Sequence, residues 1–181
     1  MNLHRLDAAD PEARTQFERA FYEAFARAKA NRLARRLYDW QDEQRRIRPH
    51  IPYADQIILV VWGEDGQVDT AAAINRGLTQ YQAARLGFQA PPRDLPHHCE
   101  ILVLFSRLDA ALVELRTFLS RSAELLLQEG LRSADATCTD RLLPVYAHIG
   151  GQPLAECTLE GEHRTLLRFQ LQEMAHLHEL T

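Results

Sequence analysis

The residues with the richest chemistry form one short stretch, His97-His98-Cys99-Glu100. The imidazoles of His97 and His98 and the thiol of Cys99 are side chains from which zinc sites are built. Adjacent residues of a strand, however, point to opposite faces of a sheet, so this spacing does not aim the three groups at one ion. We therefore predict no metal site and interpret both histidines as part of the preceding loop, Gln89–His98.

Glu100 is the member of this stretch with a specific chemical use. It directly precedes the apolar run Ile101–Phe105, and apolar surroundings raise the pKa of a carboxyl group. A raised pKa suits a carboxylate to act as a base. The alternative is a solvated strand end without a catalytic role.

Basic residues are concentrated near the N-terminus. Residues 1–50 carry 11 Lys and Arg against 8 Asp and Glu, a balance of +3, whereas the other 131 residues carry 10 against 17, a balance of −7. This excess is too mild to predict a nucleic-acid surface. It leaves two alternatives, a solvated helix face and a surface for an acidic or phosphate-bearing partner. The arginines concerned are Arg32, Arg35, Arg36, Arg45, Arg46 and Arg48.

The whole chain has the composition of one soluble globular domain, residues 1–181. Apolar residues make up 46% and charged residues 25% of it, which is ordinary for such a domain. No uninterrupted apolar segment approaches the roughly 20 residues that span a bilayer, and the first residues lack the apolar core of a signal peptide. Three cysteines, an odd number without metal-ligand spacing, are interpreted as reduced thiols. We therefore predict a cytoplasmic protein without a membrane span.

The central part of the chain predicts a strand, a long helix, a second strand parallel to the first, and a short helix. The first strand is a continuous apolar run, which is typical of a strand buried on both faces. Leucines recur every three or four residues along the helix, and a glycine ends it. Strand, helix and strand form a βαβ crossover. The elements are Ile101–Phe105, a helix over 108–126 that ends at Gly130, Ala134–Thr139, and a helix capped by Asp140.

The flanking regions predict two hairpins and a helical N-terminal region. Asp10-Pro11 is a typical helix start, with Asp as cap and Pro at the first helical position. An apolar stripe continues from Phe17 to Trp40, which predicts helical structure to about residue 46, broken near Ala30-Asn31. The other predicted elements are a strand at Asn2–Leu6, hairpin strands at Gln56–Trp62 and Val68–Ile74, a helical turn at Thr79–Leu86, hairpin strands at 153–159 and Arg164–Leu171, and a C-terminal helix.

This order of elements resembles that of the GNAT acyltransferase superfamily over nearly the whole chain. One local motif adds to the resemblance: Tyr146, three residues, then Gly150. Many members have a tyrosine at this point, followed by glycine and usually Phe or Trp, whereas Gly151 stands at the aromatic position here. The resemblance implies an α/β (α+β) fold with a mixed central sheet of about six to seven strands flanked by helices.

The resemblance also implies roles for particular residues. An acyl thioester would lie in a gap between the fourth and fifth strands, Ile101–Phe105 and Ala134–Thr139, where backbone groups pair with the pantetheine amides. Tyr146 would protonate the leaving thiolate, and Glu100 would take the proton of the attacking amine. The predicted donor-binding residues are Leu104, Phe105, Ser106, Arg107 and Arg141.

The loop after the fourth strand departs from the family pattern. Family members cradle the coenzyme A pyrophosphate with a glycine-rich loop, but the stretch Ser106–Ala111 has no glycine. In this the chain resembles the autoinducer (acyl-homoserine lactone) synthases and N-acyl amino acid synthases, which accept acyl chains from acyl carrier protein. Arg107 and Arg141, or the N-terminal arginines, would then meet the acidic carrier. The autoinducer synthases also carry Glu-x-x-Arg on the fourth strand, and Val103 stands at the arginine position here, which disfavours homoserine lactone synthesis.

We therefore predict an acyltransferase that moves an acyl group from acyl carrier protein or acyl-coenzyme A to an amine of a small molecule or peptide. The alternative is a non-catalytic domain of the same fold that binds an acyl thioester or a protein partner in a regulatory or scaffolding role. In that case Tyr146 only packs its ring on the sheet. The sheet edges are compatible with a homodimer. The acceptor and the acyl chain length stay open.

Overall fold

The computed structural model describes residues 2–27, 32–78, 80–89, 97–107 and 112–177. Over these residues the chain forms nine strands and five α-helices. The strands are β1 Leu3–Arg5, β2 Tyr38–Gln41, β3 Arg46–Pro49, β4 Gln56–Trp62, β5 Val68–Asn75, β6 His98–Ser106, β7 Ser133–Thr139, β8 Gln152–Leu159 and β9 Glu162–Gln170. The helices are α1 Pro11–Ala26, α2 Arg32–Leu37, α3 Leu112–Gln128, α4 Leu143–His148 and α5 Leu171–Ala175. No helix among the described residues is long and apolar enough to cross a membrane.

Seven of the strands form one mixed sheet in the order β1-β4-β5-β6-β7-β9-β8. This confirms the predicted fold class, and the two predicted hairpins are β4–β5 and β8–β9. The chain comprises two compact units that share β6, one built from 1–75 and 102–110 and the other from 76–101 and 111–181. The prediction of one domain over 1–181 stays a prediction.

The first unit contains α1, whose start agrees with the sequence prediction. The Asp10 carboxylate accepts the backbone N–H of Glu12 at 2.9 Å, and Pro11 occupies the first turn. Phe17 and Phe21 on the inner face of the helix are completely buried. The helix therefore begins and packs as its cap and apolar spacing require.

The predicted helical region to residue 46 is wrong beyond Leu37. The chain forms a two-stranded antiparallel hairpin there, β2 and β3, with a left-handed turn at Arg45. Aromatic residues two apart, Tyr38 and Trp40, favour a strand as much as a helix. Tertiary bonds decide the conformation: the Tyr38 hydroxyl donates to the Leu102 carbonyl at 2.5 Å. The predicted break near Ala30-Asn31 lies outside the described residues.

The second unit contains the predicted βαβ crossover. The parallel ladder between β6 and β7 consists of only three residue pairs, from His98↔Ser133 to Glu100↔Asp135. Both strands continue past this last pair, β6 to Ser106 and β7 to Thr139. On its other side β7 pairs with β9 over all seven of its residues. The pairing of β6 with β7 therefore stops at this last pair, although both strands continue.

Asp140 does not cap α4, which corrects the sequence prediction. The cap position is Leu142, without a side-chain bond to the helix. The Asp140 carboxylate instead lies 2.5 Å from Nδ1 of His163. The Asp140 carboxylate thus pairs with a side chain on the neighbouring strand, β9, and does not bond the backbone of α4.

Candidate active site

Glu100 is buried at the last pair of the parallel ladder. Only 3% of the residue is exposed, so the alternative of a solvated strand end is wrong. One carboxylate oxygen accepts the backbone N–H of Gln82 at 2.9 Å and the other accepts that of Ala83 at 2.7 Å. These two bonds satisfy the first amides of a short 3-10 helix, Gln82–Leu86.

A row of polar side chains crosses four strands at this level. In the strand register Glu100 pairs with Asp135, Asp135 with Arg168, and Arg168 with Gln152. Residues at paired positions project from the same face of a sheet. The register thus places a carboxylate, a second carboxylate and a guanidinium side by side.

Asp135 is the centre of this row. It is 1% exposed and accepts from Nε and Nη2 of Arg168 at 2.9 and 3.1 Å. The Tyr81 hydroxyl donates to it at 3.0 Å, and Nε2 of His98 lies 3.1 Å away. Burial alone would raise the pKa of Asp135, but the bonds to His98 and Arg168 outweigh it and the pKa is lowered. Asp135 is therefore an ionised buried group with its charge balanced.

His98 belongs to this cluster and not to a loop, which corrects the sequence interpretation. It lies in β6 with its side chain fully buried, and Nδ1 is 2.8 Å from the Ser133 hydroxyl. His97 precedes the strand in a left-handed conformation, with φ of 60°. The described residues contain no group of three or more His, Cys, Asp and Glu side chains arranged to hold a metal ion.

A cavity of about 330 Å³ opens beside Asp135 and Arg168. Phe88 and Leu154 contribute apolar surface to its wall, and Leu154 is 46% exposed. Cys157 lies at the wall with its thiol donating to the Leu86 carbonyl at 3.3 Å. A cavity of this size, mostly apolar with a few fixed polar groups, is typical of a small-molecule site.

Tyr146 lies in α4, as predicted, and packs on the sheet. Its ring meets that of Phe169 edge to face, with the centroids 6.0 Å apart. Desolvation is the main reason that its pKa rises to about 12, with the nearby Cys138 thiol adding to it. The hydroxyl therefore stays protonated at neutral pH.

Gly151 explains the missing aromatic residue of the motif. A Cβ atom at this position would lie 2.8 Å from the Tyr146 carbonyl oxygen and 2.9 Å from the Phe169 ring. Only glycine fits this close approach without a shift of the backbone. The residue therefore holds α4 and its tyrosine tightly against β9.

Glu100 and Tyr146 lie on opposite faces of the sheet. Tyr146 contacts Phe169, whereas Glu100 shares its face with Asp135 and Arg168. Arg168 and Phe169 are successive residues of one strand and so point in opposite directions. The structure thus groups Glu100 with the cavity and places Tyr146 on the other side of β7 and β9.

The donor-binding residues predicted on β6 are largely engaged within the protein. Phe105 is buried and its ring stacks on that of Phe21 at 5.4 Å. The Ser106 hydroxyl donates to the Asp69 carbonyl at 3.3 Å. Leu104 is half-buried. A donor would therefore meet the backbone groups of these three residues more than their side chains.

Arg107 and Arg141 differ in their surroundings. The Arg107 guanidinium donates to Asp69 at 2.6 Å and lies 3.0 Å from Asp65, and these carboxylates raise its pKa. Arg141 is exposed just before α4. The rest of the glycine-free stretch, residues 108–111, lies outside the described residues. Arg141 is thus the better placed of the two to meet a charged partner.

The N-terminal arginines do not form one helix face. Arg46 and Arg48 lie on β3 and bond Glu18, which is 1% exposed, and the Tyr53 hydroxyl donates to the same carboxylate at 2.6 Å. Arg35 on α2 pairs with Asp42 at 2.7 Å. Several members of the predicted basic surface thus stabilise the first unit internally.

Asp135, Arg168 and Tyr81 were missed by the sequence analysis. Asp135 did carry a signal, because it is the one ionisable acid inside the otherwise small and apolar strand Ala134–Thr139. Arg168 carried none, since only the register of β7 with β9 brings it to that carboxylate.

No protein-family model matches the sequence, and no curated protein matches it in sequence. Solved structures do share its fold. The CoA-dependent acyl-homoserine lactone synthase BjaI, with SAM and isopentyl-CoA, is 16% identical with a TM-score of 0.76, over 98% of this chain and 88% of BjaI. TofI in a complex with an inhibitor and MTA is 15% identical with a TM-score of 0.70, over 98% and 96% of the two chains.

A GNAT-family protein from Desulfovibrio desulfuricans is also similar, at 13% identity and a TM-score of 0.59, over 94% of this chain and 98% of that one. The fold is therefore that of the GNAT acyltransferases. Its similarity extends to the acyl-homoserine lactone synthases, as the sequence resemblance predicted.

Proposed function

We propose that this protein is an enzyme that transfers an acyl group from a thioester donor to an amine. The observation that carries the proposal is the placement of Glu100 and Tyr146 on opposite faces of the sheet, beside the end of the short parallel ladder. Acyl transfer needs a base for the incoming amine and an acid for the departing thiolate. A base on one face of the sheet and an acid on the other can act on the amine and on the thiolate from opposite sides of the thioester.

The donor would bind at the end of the parallel ladder. The last paired residues are Glu100 and Asp135, and β7 continues for four residues beyond them. Extended ligands with amide groups bind by adding to strands whose pairing has ended. A pantetheine arm bound there would bring its thioester to the level of Glu100.

The proposed reaction has one bond formed and one bond broken at the thioester carbonyl. The acceptor amine loses a proton to Glu100, directly or through a water molecule, and its nitrogen attacks the carbonyl carbon. The C–N bond forms, the C–S bond breaks, and the Tyr146 hydroxyl gives its proton to the leaving thiolate.

The donor is acyl carrier protein or acyl-coenzyme A, and the carrier protein is the preferred source. Arg141, exposed five positions before Tyr146 in the chain, suits the phosphate of either donor or an acidic carrier surface. BjaI is named as a CoA-dependent synthase, so the same fold also accepts an acyl-coenzyme A.

The second candidate function is a non-catalytic domain that binds an acyl thioester or a partner. It is favoured by the two backbone amides that bond Glu100. Holding the Gln82–Leu86 helix explains a buried carboxylate at this position without any catalytic role. Only the first candidate predicts turnover. The second predicts either donor binding without turnover or, for a domain that binds a protein partner, no donor binding.

Donor binding and thiol release separate the two candidates. Calorimetry with acetyl-coenzyme A, a long-chain acyl-coenzyme A and a long-chain acyl carrier protein identifies the donor, and free thiol is then measured with a panel of amines. For the enzyme, Tyr146→Phe lowers the rate about 10²- to 10⁴-fold with donor affinity unchanged. Tyr22→Phe, on α1 and bonded to Asp42 at 3.1 Å, is the control and keeps the rate. Binding without thiol release from any amine would support the non-catalytic domain.

A further inference from the structure

We propose that Tyr81 is a positioning residue of the acyl transfer: by bonding Asp135, it fixes the two backbone amides that hold Glu100, and so sets where the base lies. This inference rests on the proposed function and adds one residue to the same site. It also gives a role to Asp135, a buried charge that the proposed reaction does not use. The bonds that three successive residues make to two neighbouring strands carry the inference.

Three successive residues span the last pair of the parallel ladder. The Tyr81 hydroxyl donates to Asp135 on β7 at 3.0 Å. The next two backbone N–H groups, those of Gln82 and Ala83, donate to Glu100 on β6 at 2.9 and 2.7 Å. Because Glu100 and Asp135 are partners in the strand register, one short segment is bonded to both carboxylates at once.

The two amides depend on such bonds for their position. They are the first amides of the Gln82–Leu86 helix, and the first N–H groups of a helix have no acceptor within it. Tyr81 directly precedes this helix, at the cap position and with an extended backbone. Peptide groups are planar, so few backbone torsions separate the anchored Tyr81 from the amide of Gln82. A bond that fixes Tyr81 therefore also fixes the direction of the amides that follow it.

The anchor of Tyr81 is itself fixed. Asp135 is almost completely buried and accepts two further bonds from Arg168, at 2.9 and 3.1 Å, and Nε2 of His98 lies 3.1 Å away. Tyr81 is buried as well, and burial, together with the charges of Asp135 and Glu100, raises the pKa of its hydroxyl. The hydroxyl therefore stays protonated and donates to Asp135. Its part in the site is to hold the segment and not to exchange a proton.

Removal of this one hydroxyl tests the positioning. Tyr81→Phe keeps the ring and loses the bond to Asp135. A displacement of about 1 Å at a reacting group lowers a rate by about 10²-fold. We expect kcat, measured as thiol release with an amine that the wild type acylates, to fall about 10- to 100-fold in Tyr81→Phe. The KM for the donor is expected to stay the same, because the donor is proposed to bind the strand backbone and not Tyr81.

Tyr53→Phe is the matched control. It also removes a tyrosine hydroxyl that donates to a buried carboxylate, that of Glu18 at 2.6 Å, but in the first unit. This variant is expected to keep kcat near the wild-type value. A loss of stability that both variants share then does not explain a fall in kcat that only Tyr81→Phe shows.

A double substitution shows whether Tyr81 acts through Glu100. In the Glu100→Gln background, Tyr81→Phe is expected to lower kcat by less than about 2-fold, because the base that Tyr81 positions is already gone. A role confined to folding would lower the rate by the same factor in both backgrounds. That result, or a kcat for Tyr81→Phe no lower than that of Tyr53→Phe, would overturn the inference and leave the proposed acyl transfer standing.

Hydrogen exchange separates this inference from the proposed function. If the wild type acylates no amine, the proposed function fails, and exchange of the Gln82 and Ala83 amides decides whether Tyr81 holds them. Tyr81→Phe is expected to speed their exchange at least about 10-fold, whereas Tyr53→Phe leaves it unchanged. Equal exchange rates in Tyr81→Phe and the wild type would overturn the positioning.

Discussion

Replacement of Glu100 by glutamine tests whether this carboxylate both holds the Gln82–Leu86 helix and serves as the base. Each carboxylate oxygen accepts one backbone N–H, at 2.9 and 2.7 Å. In Glu100→Gln one oxygen becomes an NH₂ group, which faces an N–H donor and leaves it unpaired in a buried site. A hydrogen bond to a charged group contributes about 1.5–3 kcal/mol. We expect the free energy of unfolding to fall by about 2–4 kcal/mol, counting the weaker remaining bond.

The assay is urea unfolding followed by circular dichroism, together with thiol release measured well below the melting temperature. For a chain of this length the loss corresponds to a fall in Tm of about 4–15 °C. The rate of acyl transfer is expected to fall about 10²- to 10⁴-fold while the protein stays folded. Glu64→Gln, at an exposed turn position, is the control and should alter neither quantity. A loss of stability below about 0.5 kcal/mol would refute the role of Glu100 as a clamp, and an unchanged rate would refute its role as the base.

Three further predictions concern stability. Gly151→Ala is expected to lower the free energy of unfolding by about 1–3 kcal/mol, because its Cβ would lie 2.8 Å from the Tyr146 carbonyl and 2.9 Å from the Phe169 ring; thermal unfolding measures it. The lowered pKa of Asp135 means that the unfolded chain binds its proton at a higher pH than the folded chain does. Its stabilising contribution is thus present above about pH 4 and is lost as the pH falls through the folded pKa, so the acid-unfolding curve of Asp135→Asn should be flatter there. Glu18→Ala is expected to cost about 3–5 kcal/mol, because it leaves two arginines and a tyrosine without their shared carboxylate; urea unfolding measures it.

Each of the three stability predictions can be contradicted by a specific result. An unchanged Tm in Gly151→Ala would mean that α4 moves without cost. An equal pH dependence for the wild type and Asp135→Asn below about pH 4 would contradict the balanced buried charge. A loss of less than about 1 kcal/mol in Glu18→Ala would place this ion-pair cluster with the weak pairs of protein surfaces.

The regular part of the fold could be predicted because its signals are local. Apolar runs mark β4 and β6, a stripe of leucines marks α3, and Asp10-Pro11 marks the start of α1. These patterns depend on residues within one element. The order of the elements then led to the GNAT fold without further information.

The hairpin of β2 and β3 could not be predicted because distant residues determine it. Its arginines are held by Glu18 on α1, and Tyr38 is held by the carbonyl of Leu102. Asp140 is a similar case. The sequence around it is the same whether the carboxylate caps a helix or pairs with His163, so only the fold decides between the two. Tertiary contacts override local propensity in such segments.

The candidate site was predicted in part. Glu100 and Tyr146 were both found from the resemblance to the GNAT superfamily, Glu100 from its place at the start of the fourth strand and Tyr146 from the family motif. The Asp135–Arg168 pair was not, since it exists only through the register of β7 with β9. A one-residue slip of β9 against β7 would move Arg168 to the other face of the sheet, away from Asp135.

The most direct test of acyl transfer is the mass of the product formed from a donor with a labelled acyl chain and an amine acceptor. We expect an amide with the mass of the acyl chain plus the acceptor, formed in step with free thiol and suppressed in both Glu100→Gln and Tyr146→Phe. Thiol released with only free fatty acid, or an amide yield that neither substitution alters, would contradict acyl transfer by these two residues.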